Sequence, residues 1–225
     1  MKRKAMMLNA IGVKGKAIAA ALLLALVLSF AVGFSGCESK SDAKSSASAE
    51  ENIPAGYTKE GGEIVNGFTL PPYPDPKVND STLLGIDSNN NGVRDDVERW
   101  LIFKYKDDHR IVTEIGFQGA RASQEILKAS PNTYEEALAV DEIMRKAFDC
   151  NSYFKSYAKV YGDPVLIDHT IITSIAFKTM QFNTEQRIRS YLAYDKALSG
   201  EVYGSTKSSQ KKAQCSFEAH KLLGE

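Results

Sequence analysis

Residues 111–129 read IVTEIGFQGARASQEILKA, and Ile111, Ile115, Gly119, Ala122, Ile126 and Ala129 fall three or four apart along them. That spacing marks one face of a helix with 3.6 residues per turn. The small residues in the stripe would let a second helix pack closely against it. Upstream, Val97, Trp100, Leu101 and Tyr105 begin an earlier apolar helical run. Downstream, Ser130-Pro131 marks a boundary and a new helix start. Ala137, Val140, Met144, Ala147, Phe154 and Ala158 then stripe a long helix that carries Cys150. Asp163-Pro164 opens a further helix, Val165 to about Met180, apolar on most sides and expected at the centre. Asn183 with Gln186 resembles a capping box, and Gly200 suits a helix end. A last helix from about Ser209 to Leu223 would carry Cys215.

Five or six helices with short connections predict an all-α helical bundle. Its expected core includes Trp100, Leu101, Ile115, Met144, Phe148, Ile171, Ile175, Tyr191 and Leu192. Residues 57–86 precede the bundle as an extended arm. Pro71, Pro72, Pro74 and Pro76 argue against a helix there, and Gly61, Gly62 and Gly67 interrupt it further. Glu63-Ile64-Val65 and Phe68-Thr69-Leu70 could pair around Asn66-Gly67, a hairpin signal. The favoured reading has the arm wrapped over the helices, anchored by Phe68, Leu70 and Tyr73. Residues 87–98 form a loop, 99–225 the helical domain, and 57–225 one globular unit of ordinary size.

The N-terminus carries Lys2, Arg3, Lys4, Lys14 and Lys16, then an apolar run from Ala17 to Phe34. That order is an export signal. Its length also reaches the lower limit for a membrane span, which leaves an uncleaved anchor as the alternative. Phe34-Ser35-Gly36-Cys37 resembles the lipobox of bacterial lipoproteins, with Phe34 where that family usually has Leu. The resemblance implies that residues 1–36 are a signal peptide and that Cys37 receives lipid, tying the protein to the cell envelope. In such lipoproteins a residue other than Asp after the cysteine implies the outer membrane in a Gram-negative cell; here it is Glu38. Residues 37–56 are rich in Ser, Ala, Lys and Glu and read as a flexible tether, with a reach of roughly 25 Å.

Three cysteines leave one over in an exported chain. If Cys37 carries lipid, Cys150 and Cys215 remain as a pair. They read either as a disulfide or as two separate buried thiols, and an oxidising compartment favours the disulfide. Cleavage before Cys37 removes five basic residues and no acids from a chain with 28 of each, which leaves a net charge of −5. No basic patch remains that would suit nucleic acid.

The stretch Asp87-Ser88-Asn89-Asn90-Asn91-Gly92-Val93-Arg94-Asp95-Asp96-Val97-Glu98 fits D-x-[DN]-x-[DN]-G-x₅-E at every fixed position. Ca²⁺ takes six to eight oxygens, and the spacing can supply them. Asp87, Asn89 and Asn91 offer side-chain oxygens, Val93 a carbonyl, Asp95 a carboxylate or a bridged water, and Glu98 two oxygens. The twelve residues resemble an EF-hand loop, and Asn91-Gly92-Val93-x-Asp95 resembles thrombospondin type 3 repeats. An EF-hand has an aliphatic residue where this chain has Arg94, and Pro76 to Gly85 is a poor entering helix. The resemblance therefore implies a calcium ligand set and not a paired, opening switch. The plain alternative is an Asn/Gly-rich turn that starts a helix, with Asp95 and Asp96 near its positive end.

No catalytic pattern appears. His109, His169 and His220 share no zinc-ligand spacing, and no G-x-S-x-G, P-loop or dinucleotide fingerprint occurs. Asp168-His169 are helix neighbours that do not face each other. Thr170, Thr173, Ser174 and Thr179 suggest hydroxyls bonded back to helix carbonyls. Tyr134, Tyr153, Tyr157, Tyr161, Tyr191, Tyr194 and Tyr203 suit the margin of a core, with a ligand groove as the minority reading. The expectation is a non-catalytic, lipid-anchored envelope protein with a weak structural calcium site, which acts by binding or scaffolding with another envelope component. The alternatives are a hydrolase-like envelope enzyme and a calcium-dependent adhesion module.

Overall fold

A computed structural model of the chain describes residues 58–161, 171–200 and 205–224, with the side chains of 157–161 and 220 left aside. The readings for the signal peptide, Cys37, Glu38, the tether and Asp168-His169 lie outside the described residues.

The arm contains a small hairpin. Strands β1 (Ile64–Val65) and β2 (Phe68–Thr69) pair antiparallel, with Val65 opposite Phe68 and Ile64 opposite Thr69. Asn66 and Gly67 both take positive φ, 49° and 77°. That is the mirror-image turn whose twist suits a two-residue hairpin. Asn66 Nδ2 donates to the carbonyls of Tyr105 and Asp108 at 3.2 and 3.0 Å, which ties the turn to the helical body. Both readings of the arm thus hold together, since Phe68 and Leu70 are also buried anchors while Tyr73 is half-buried.

Helix α1 (Pro76–Ser81) corrects the expectation that prolines exclude helix from the arm. Pro76 occupies the first turn, where its missing N–H costs nothing, and Asp75 caps the N–H groups of Lys77 and Val78. The bundle follows as α2 (Asp95–Lys104), α3 (Arg110–Ala129), α4 (Tyr134–Tyr161), α5 (Ile175–Gln181), α6 (Glu185–Leu198) and α7 (Ala219–Leu223). The described residues are therefore all-α apart from the hairpin.

The central element is α3, which packs against α2, α4, α5, α6 and α7. Its small residues make this possible. A Cβ on Gly116 would lie 2.6 Å from Leu101, and one on Gly119 would lie 2.7 Å from Ile172. Ser130 takes the left-handed conformation at the end of α3, and Thr133 and Glu136 bond each other's backbone N–H at the start of α4.

Several expectations fail for identifiable reasons. The helix foreseen over Val165 to Met180 begins only at Ile175 within the described residues, because the Ser174 hydroxyl caps Phe177 N–H there. Ile175 is consequently first-turn and 85% exposed. Leu192 is exposed because α6 turns Arg187, Ser190 and Tyr194 inward instead. Phe148 stands at the edge of a cavity and is also exposed. Leu101, Ile115, Met144 and Ile171 are core as expected, with Trp100 and Tyr191 packed against it. Thr184, not Asn183, caps α6, while Gly200 follows its end with φ of 95°. Residues 208–214 make two 3₁₀ turns, so Cys215 lies beyond them in extended backbone and not on a long helix. It forms a disulfide with Cys150 of α4, S–S 2.09 Å.

Candidate metal centre

The loop from Asp87 to Glu98 closes on itself before any ion is considered. Asp95 N–H donates to Ile86 C=O at 2.8 Å, joining the two ends of the loop. Asp87 accepts Asn91 N–H at 3.1 Å through Oδ1 and Gly92 N–H at 2.9 Å through Oδ2. Asn89 Oδ1 accepts Asn91 N–H, and Asn91 Oδ1 accepts Val93 N–H. These short side-chain-to-backbone bonds are what Asx residues do in turns. Gly92, with φ of 83°, is required twice over: its conformation suits glycine, and a Cβ would press within 3.2 Å of Arg121. The Val93 side chain is wholly buried in the core, which pins the second half of the loop.

The carboxylates converge on this frame. Asp95 is buried and accepts Ser88 N–H at 3.0 and 3.2 Å. Glu98, also buried, accepts Asn91 Nδ2 at 2.8 Å and Asn89 Nδ2 at 3.2 Å. Burial raises the Glu98 carboxyl above its ordinary range, and the charges of Asp95 and Asp87 raise it further. Asp95 is raised by burial first, then by Asp87 and Asp96, against the bonds from Ser88. Among the described residues, no lysine or arginine forms an ion pair with Asp87, Asp95 or Glu98. Like charges thus gather here, while Arg121, beside Gly92, and Arg99 act on Glu98 and Asp95 from beyond ion-pair range.

The donor chemistry suits a hard cation. Among the described residues, no three His, Cys, Asp or Glu side chains are gathered closely enough to hold a metal by themselves. Asn89, Asn91 and the Val93 carbonyl would have to complete the shell, which makes it an all-oxygen set of the kind calcium takes. In this arrangement the amide nitrogens of Asn89 and Asn91 face Glu98. Half a turn of each terminal amide would present oxygen instead, at the expense of the bonds from Asn91 N–H and Val93 N–H to those oxygens.

Sequence reasoning missed the role of Arg94. It departs from the EF-hand pattern, and the departure is the signal. Its side chain is fully buried and donates to Met180 C=O at 2.6 Å and Gln181 C=O at 3.1 Å, at the end of α5. It also donates to Asn183 Oδ1 at 3.3 Å and pairs with Asp96 at 2.5 Å. Arg187 of α6, equally buried, does the same for the arm. It donates to the carbonyls of Asn79, Thr82 and Leu83 and pairs with Asp80 at 3.0 Å. Asn79 and Asn183 bridge the two arginines' partners. One polar network thus fastens α1, the loop, α5 and α6 together, using carbonyls that burial would otherwise leave unsatisfied.

No family model, curated protein or solved structure matches this chain.

The remaining candidates take structural places. His109 caps α3 through Nδ1, which accepts Ile111 N–H at 3.2 Å. Tyr194 donates to Asp141 at 3.0 Å, and the Tyr191 ring lies tilted against Phe182. Both tyrosines line a cavity of about 350 Å³ between α3, α4, α5 and α6. Thr173 and Thr179 are exposed, so hydroxyls on a buried central helix are not what this segment provides. Among the described residues, no helix is long and apolar enough to cross a membrane.

Proposed function

We propose that the chain is a non-catalytic, lipid-anchored cell-envelope protein whose loop binds one Ca²⁺ as a structural staple and whose helical domain acts by binding or scaffolding. The observation that carries the calcium assignment is the gathering of Asp87, Asp95 and Glu98 without an ion pair among the described residues. Folding brings like charges together only at a cost, and a divalent cation reverses its sign. The ligands are Asp87, Asn89, Asn91, Val93, Asp95 and Glu98. Three carboxylates and two amides make a modestly charged site, in the range of about 10⁻⁴ to 10⁻³ M found for extracellular modules. The staple joins the arm to α2, since Asp87 belongs to the loop's first half while Asp95 and Glu98 lie in the first turn of α2. Lipid on Cys37 holds the protein to the membrane, the outer membrane in a Gram-negative cell, and the partner is another envelope component.

Thermal unfolding in chelator and in calcium tests the staple. At 10 mM calcium the stabilisation RT ln(1 + [L]/Kd) is about 1.4–2.7 kcal/mol for that affinity range. For a domain of this size that is roughly 3–11 °C in Tm. Asp87→Ala abolishes the increment while magnesium produces little in the wild type. An unchanged wild-type Tm, or an equal increment in Asp87→Ala, refutes the assignment.

A further inference from the structure

The arm, α2 and the end of α5 line a cavity of about 580 Å³ that none of the proposed calcium ligands lines. That volume falls within the range of small-molecule sites. One wall is apolar and largely aromatic, formed by Tyr73, Trp100 and Phe103 with Pro76 and Met180. The edge of the buried network, Asp80, Asp96 and Asn183, also lines the space.

Charge decides what fits. Both acids already have an arginine. Asp96 accepts Arg94 through both oxygens and also takes Val97 N–H and Asn79 Nδ2. Asp80 accepts Arg187 Nη1 at 3.0 Å and Asn79 Nδ2 at 3.4 Å. The other two cations of the cavity have no such match. Arg99 is 3% exposed, yet among the described residues it donates only to the carbonyls of Pro71 at 2.7 Å and Thr58 at 3.2 Å. Its guanidinium lies 5.6 Å from the ring centres of both Tyr73 and Phe103. Glu63 and Asp95 act on Arg99 from beyond ion-pair range, and Glu63 is turned to Thr58 N–H. The Lys104 ammonium lies 5.6 Å from the Trp100 ring. Among the described residues neither Arg99 nor Lys104 forms an ion pair. Asn183 adds a donor: the two arginines hold its Oδ1, and its amide nitrogen has no hydrogen bond among the described residues.

A desolvated guanidinium without an ion pair is costly, and carbonyl dipoles and more distant acids compensate it only in part. A ligand that brings a negative head and an apolar body answers the cations and the aromatic wall together. We propose that this cavity binds a small organic carboxylate, its head at the edge formed by Arg99 and Lys104 and its body against Trp100 and Phe103. The site deepens the binding role proposed above and does not depend on the calcium ion.

Trp100 is the single tryptophan of the chain, so its fluorescence reports directly on the cavity. The test uses the full-length protein in phosphatidylcholine vesicles and three probes with one body: 4-phenylbutyrate, 4-phenylbutyramide and 4-phenylbutylamine. The carboxylate is expected to give a saturable change, the amide to bind at least about tenfold more weakly, and the amine weaker still. Lys104 is exposed, so Lys104→Met should fold normally; it weakens the carboxylate by about five- to tenfold and leaves the amide unchanged. Lys128→Met, on the exposed face of α3, leaves both unchanged. The proposal is overturned if the amide or amine binds as tightly as the carboxylate. No saturable response to the carboxylate up to about 10 mM, or no effect of Lys104→Met, also overturns it. The calcium-dependent Tm is measured on the same preparation, so loss of the anion site and loss of the staple give separate readings.

Discussion

Isoleucine at position 94 would bring the loop closer to the EF-hand pattern, and by that resemblance Arg94→Ile should be harmless or helpful. The tertiary structure predicts the opposite. Arg94 is fully buried and supplies hydrogen bonds to two carbonyls at the end of α5, to Asn183 and to Asp96. Isoleucine replaces the apolar stem but none of these donors. Removing one partner of a buried charge pair costs about 3–5 kcal/mol, because the other is left uncompensated. The orphaned carbonyls of Met180 and Gln181 act in the same direction, although such costs do not add simply. A loss of about 3–5 kcal/mol corresponds to a fall in Tm of roughly 6–20 °C for a domain of this size. Urea unfolding followed by Trp100 fluorescence, in chelator to keep calcium out of the comparison, measures it. Asp96→Asn in the Arg94→Ile background relieves part of the loss, with a coupling of roughly 1–3 kcal/mol in the double-mutant cycle. A midpoint equal to or above the wild type, or a coupling near zero, would refute the assignment of Arg94 as the joint between loop and α5.

Calcium stabilisation should depend on pH. Burial and neighbouring acids raise the carboxyl groups of Asp95 and Glu98, so the calcium-free folded state holds their protons more tightly than the unfolded chain does. Their ionisation therefore costs stability as pH rises through that raised range, and a bound cation turns the cost into a gain. The Tm increment from calcium is expected to shrink on acidification from neutrality and to vanish near about pH 4, where the carboxylates are protonated; a constant increment contradicts the ligand set. The disulfide closes a separation of 65 residues, worth about 4 kcal/mol in the chain-entropy model. Reducing agent should lower the urea midpoint of the wild type accordingly and leave Cys150→Ser/Cys215→Ser unmoved, and an unmoved wild type would show that the bridge adds no stability.

Much of the fold was legible because periodicity is a local property. The stripe from Ile111 to Ile126 named α3, and Ala137 to Phe154 named α4, since three- and four-residue spacing alone places those side chains on one face. Asn66-Gly67 named its turn because few residues accept positive φ twice in succession. Caps were less legible. Ser174 reads equally as a helical hydroxyl or a helix start, and only the packing of Phe177 and Ile172 against α3 decides between them. Hydrophobicity likewise overrated Ile175, which the Ser174 cap leaves in an exposed first turn, and Leu192, because α6 turns an arginine and a serine inward.

The sequence by itself determined the helical class, the hairpin turn and the spacing of the loop's ligand candidates. Each follows from contacts between residues a few positions apart. The tertiary structure alone decided that α3 is central, that Asp87, Asp95 and Glu98 gather without an ion pair among the described residues, and that Arg94 serves α5. Arg94 reaches carbonyls 86 and 87 positions away, and Arg187 reaches back more than 100 to the arm. Which charges find partners is settled by how helices cross, and no local spacing carries that information.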